Sequence, residues 1–137
     1  MDRDLLAFAR RVIALRKEHS ASGGRILRGT VIPGTSFKDI VWLSPEGGEA
    51  DDALWHFAEA RSLGFLLGGD AGELFYSQGG QQELDNGFIV LMNAYHEEVP
   101  FKLPEEAMGK AWDVVLDTAR TDPETGHYQA AATYPLA

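Results

Sequence analysis

Along residues 4–19 the apolar side chains Leu5, Phe8, Ala9, Val12 and Ile13 recur at three- and four-residue spacing. That period predicts an amphipathic helix. Asp4 stands where a cap is expected, and Arg16, Lys17 and His19 fall in the last turn, where positive charge suits the helix dipole. The run Ser20-Ala21-Ser22-Gly23-Gly24 stops the helix. Leu6 and Leu15 widen its apolar face, so it needs cover on more than one side.

After Gly24 the period changes from about 3.6 to 2. Short apolar runs at 26–32, 40–43, 63–67, 73–76, 88–93, 99–103, 112–117 and 132–136 read as strands. Turn chemistry separates them at Pro33-Gly34, Pro45-Glu46-Gly47-Gly48, Gly68-Gly69-Asp70, Gly79-Gly80, Asp85-Asn86-Gly87 and Asp122-Pro123. Pro100 and Pro135 suit edge strands, since proline has no amide to give a ladder. Residues 51–60 allow two readings: a short helix capped by Asp51-Asp52, or an ordered loop holding Trp55. The pattern predicts a mainly β chain, an antiparallel β-sandwich of about eight strands preceded by one N-terminal α-helix.

A length of 137 residues bounds this to about one domain. Such a chain buries roughly two-thirds of its unfolded surface, enough for a core without staples. There is no cysteine, which removes disulfide and thiolate chemistry. No apolar run approaches the roughly 20 residues of a membrane span, and the acidic, charged N-terminus is unlike a signal peptide. A cytoplasmic location is expected. The net charge of -9 is uneven: the first twenty residues sum to +2 and the remainder to -11. The acidic body argues against nucleic acid and anionic membrane as partners.

Glycosidases use two carboxylates roughly 5–9 Å apart. With 21 Asp and Glu some pair is close by chance, and most stand in turns, where carboxylates are solvated. Asp117 follows an apolar run and reads as the start of a turn with Thr118. His19, His56, His96 and His127 form no metal-ligand spacing, and His96-Glu97-Glu98 sits at a hairpin where neighbours seldom converge on one ion. No Gly-x-Ser-x-Gly and no Gly-Lys-Ser/Thr loop is present. No metal or cofactor is expected. Trp42 and Trp112 fall inside strand patterns and read as core. Trp55 lies outside them and is the candidate for a sugar platform or an interdomain contact, with packing the plainer role.

Several segments together resemble a known family. Residues 5–16 with His19 look like the last helix of a catalytic (β/α) barrel. Ile26-Leu27-Arg28-Gly29 resembles the entry to a C-terminal sandwich. Trp42-Leu43-Ser44-Pro45-Glu46-Gly47 is similar to a Trp-Leu-x-Pro-x-Gly strand and turn. Residues 60–67, 91–97, 101–104 and 112–119 continue the likeness in collinear order. The family is the C-terminal domain of bacterial glycogen debranching enzymes, the isoamylase-type branch of the α-amylase superfamily.

That resemblance implies a fragment without the catalytic barrel: residues 1–24 as the last barrel helix and 25–137 as the sandwich domain. The family's catalytic carboxylates lie upstream of this helix, so none transfers to a position here. The implied parent activity is hydrolysis of α-1,6 branch linkages in glycogen, and the implied partner is the barrel. A stand-alone α-glucan-binding module using Trp55 is the alternative. The family runs on into one more apolar strand after Tyr134-Pro135-Leu136-Ala137, so a missing edge strand is expected. With that edge or the broad helix face uncovered, the isolated chain is expected to form a homodimer.

Overall fold

The N-terminal periodicity produces one helix. The computed structural model describes residues 3–19, 26–31, 38–68, 75–76, 82–83, 87–105, 110–120 and 126–137. Within it, α1 spans Arg3–Glu18, one residue earlier at each end than the spacing predicts. Asp4 therefore lies inside the first turn and does not cap it; its charge still complements the dipole there. The helix stop at 20–24 and the turns at Pro33-Gly34, Gly69-Asp70, Gly79-Gly80, Asp85-Asn86 and Asp122-Pro123 lie outside the described residues, as do Ile32, Glu73 and Leu74.

Residues 1–40 and 67–88 form one compact unit, and residues 41–66 and 89–137 a second. In the first, the His19 ring meets Phe88 edge-on, with centroids 4.7 Å apart. The strand expected at 26–32 is not formed over its described part; only an isolated bridge joins Val31 to Lys38. The reason is Asp39. Its carboxylate accepts from the amides of Arg28 at 2.8 Å, Thr30 at 3.1 Å and Ile40 at 2.8 Å. Two alternate amides of one segment are thus drawn to a single side chain, and Gly29 between them takes φ +69°. Partial burial works to raise the Asp39 pKa, but the backbone donors prevail and hold it below the ordinary carboxylate value.

In chain order the strands are β1 (Ile40–Leu43), β2 (Ser62–Leu67), β3 (Phe75–Tyr76), β4 (Gln82–Glu83), β5 (Phe88–Asn93), β6 (Val99–Lys102), β7 (Ala111–Asp113), β8 (His127–Gln129) and β9 (Thr133–Leu136). The helix α2, Asp52–Trp55, lies between β1 and β2. β1, β2 and β5 form a sheet with β2 at its centre, while β3/β4, β6/β9 and β7/β8 are antiparallel pairs. The chain is thus mainly β with antiparallel pairing and one N-terminal helix, as the pattern predicts. The run at 112–117 is a correction: β7 ends at Asp113, and Val114 adds one more bond, to the Gly126 carbonyl, before Asp117 turns the chain.

Alternation sets the core of the second unit. Val41 and Leu43 of β1, Leu66 of β2, Phe101 of β6, Leu103, and Tyr134 and Leu136 of β9 bury together. Ile89, Leu91, Trp112, Val114 and Tyr128 pack against them. Three sheets therefore share one apolar layer, as in a sandwich.

The β6/β9 pair explains its two prolines. Pro100 and Pro135 stand directly opposite each other. Neither has an N–H, so the pair fits only a position where the ladder makes no bond. Lys102, two residues on, keeps that parity: its amide turns away from β9 and donates to the Pro45 carbonyl at 2.8 Å. The next amide, Leu103, turns back and donates to Ala132.

Candidate functional site

Residues 51–60 resolve in favour of the helix reading. Asp51 is extended, and its side chain accepts from the Leu54 amide at 2.9 Å, so α2 forms as a single capped turn. The cap aims Trp55 back at β1, where its ring meets Trp42 edge-on with centroids 5.6 Å apart. Trp42 in turn meets Phe65 of β2 at 5.4 Å. Trp55 remains 51% exposed and Phe57 beside it is also open to solvent. Trp42 is half-buried, on the side of β1 away from the core. Trp112 does pack against the core, with its Nε1 buried and without a hydrogen-bond partner.

Tyr95, Tyr128 and Tyr134 are each engaged by other side chains. Arg61 lies over the Tyr95 ring at 4.5 Å, and His96 meets it edge-on at 4.2 Å. Tyr128 packs edge-on against Tyr134. Tyr134 is buried, and its hydroxyl donates to Asp117 Oδ2 at 2.6 Å. Asp117 also accepts from the Ala119 amide and pairs with Arg120 at 3.4 Å, so it starts a turn, as expected, and ties that turn to β9. The pattern of types gave no sign of the Tyr134–Asp117 bond, which joins groups 17 residues apart.

The carboxylates are engaged separately. Asp39 holds backbone amides, Asp51 caps α2, Asp113 meets His127 Nδ1 at 2.7 Å and Glu59 meets Arg61 at 3.4 Å. An open depression of about 370 Å³ is lined by Glu46, Glu49, Asp51 and Phe57 among others. His19, His56, His96 and His127 have different neighbours: Phe88, the Asp52 carbonyl, Glu97 and Asp113. Among the described residues no three His, Asp or Glu side chains gather as for a metal ion. Among them, too, no helix is long and apolar enough to cross a membrane.

Burial, the bond to Asp117 and the charge of that carboxylate push the Tyr134 hydroxyl up to about 12 from an ordinary 10.0. The neutral phenol is favoured in the folded state, so its contribution is complete below pH 10 and is lost as pH rises through 12. Tyr134→Phe is expected to lower stability by about 1–3 kcal/mol at neutral pH and to flatten the alkaline decline. Urea midpoints measured at intervals up to pH 12 in both proteins test this; parallel declines would refute it.

Residues 39–133 match the family described as the C-terminal domain of isoamylase. The "Glycogen operon protein GlgX homolog" of Mycobacterium tuberculosis is 33% identical over 117 residues, covering 84% of this chain and 16% of the relative. Its Mycobacterium bovis counterpart gives the same figures. The "Isoamylase" of a Flavobacterium species is 28% identical over 120 residues, covering 87% of this chain and 14% of the relative. The chain spans about a sixth of the length of these curated relatives.

Proposed function

Because the chain belongs to the isoamylase C-terminal domain family, we propose that it serves as the non-catalytic C-terminal domain of a glycogen debranching enzyme. It flanks and stabilises a catalytic barrel, and the barrel carries out hydrolysis of α-1,6 branch linkages. Residues 1–24 act as the last helix of that barrel and residues 25–137 as the domain beside it. The cytoplasm is the setting this reading implies.

The carrying observation is the match of residues 39–133 to the isoamylase C-terminal family. The engagement of the described carboxylates supports it. A retaining mechanism needs an acid and a nucleophile facing each other across one bond. Here Asp39, Asp51 and Asp117 are committed to backbone amides and a buried tyrosine, and Glu46 and Glu49 open to a broad depression.

One observation favours the alternative of a stand-alone α-glucan-binding module: the exposed ring of Trp55 beside Phe57. Aromatic platforms bind glucan well when several rings stand in line, and Tyr95, Tyr128 and Tyr134 are each faced by a neighbouring side chain. The chain is expected to release no reducing ends from glycogen and to bind maltoheptaose weakly or not at all in isothermal titration. Reducing ends lost on mutating one carboxylate here would overturn the reading. Binding with a dissociation constant of about 100 μM or tighter, abolished by Trp55→Ala, would establish the glucan module instead.

A further inference from the structure

We draw no further inference here: the strongest candidate, the open depression formed by the turn after β1 and by α2 and lined by Glu46, Glu49, Asp51 and the exposed Phe57, is an acidic cluster beside an uncovered apolar ring, and nothing in the structure points to a ligand for it or shows what covers it.

Discussion

Replacing Phe101 with alanine is expected to destabilise the chain by about 3–5 kcal/mol, a large share of the roughly 5–15 kcal/mol typical of a domain. Phe101 is fully buried at the junction of two sheets. Its ring reaches Gly64 in the central strand β2, where an added Cβ would stand 3.0 Å from Phe101 Cζ and 2.9 Å from Leu91 Cδ2. The ring therefore fills space that glycine leaves open, and truncation leaves a void that a β-sheet backbone cannot collapse to fill. Phe101→Leu should cost less, about 1–2 kcal/mol, since most of the volume remains. Urea denaturation followed by tryptophan fluorescence measures both. A loss below about 1 kcal/mol for the alanine variant would mean that the core is not centred on this ring.

The pairing of Phe101 with Gly64 also marks where sequence reasoning reached its limit. Strands β1 and β5 were legible to the residue, because Ile-Val-Trp-Leu and Phe-Ile-Val-Leu-Met-Asn are apolar runs bounded by turns. β4 and β8 were not. Gln82–Glu83 has no apolar residue, and His127–Gln129 has only Tyr128 between polar neighbours, too short for a period to show. The segment at 26–31 failed for another reason: its apolar pattern is strand-like, but Asp39, outside the segment, captures its amides. Propensity yielded there to a distant acceptor.

For the candidate site, the sequence singled out Trp55 by exclusion from the strand patterns. The structure shows it exposed, on a turn set by Asp51. What no spacing could show is that Trp42, read as core, stands on the outer side of its sheet and meets Trp55. Both faces of β1 are apolar, so alternation alone could not tell which face is covered by the fold.

Gly47→Ala is expected to be nearly as damaging as the loss of Phe101, for an opposite reason: crowding. The turn after β1 closes by bonds from the Gly47 amide to the Ser44 carbonyl at 3.0 Å and from the Ser44 amide to Gly48 at 2.9 Å. Gly47 sits at φ +87°, where an L side chain is strained. Its α-carbon also faces the backbone that follows β6: a Cβ would stand 3.0 Å from the Leu103 carbonyl oxygen and 3.1 Å from that of Lys102. Neither oxygen can move freely, since Lys102 and Leu103 both donate their amides, to Pro45 and Ala132. Strain and crowding together should cost roughly 2–4 kcal/mol. Gly48 next to it meets nothing within 4 Å, so Gly48→Ala should change stability by less than about 1 kcal/mol. Gly47→Asn separates the two causes. Asparagine tolerates positive φ but carries the same Cβ, so it should recover the strain and not the crowding, falling between wild type and Gly47→Ala. Equal urea midpoints for Gly47→Ala and Gly48→Ala would show that the turn yields to the added methyl, and that the join between the β1 turn and β6 is looser than its hydrogen bonds imply.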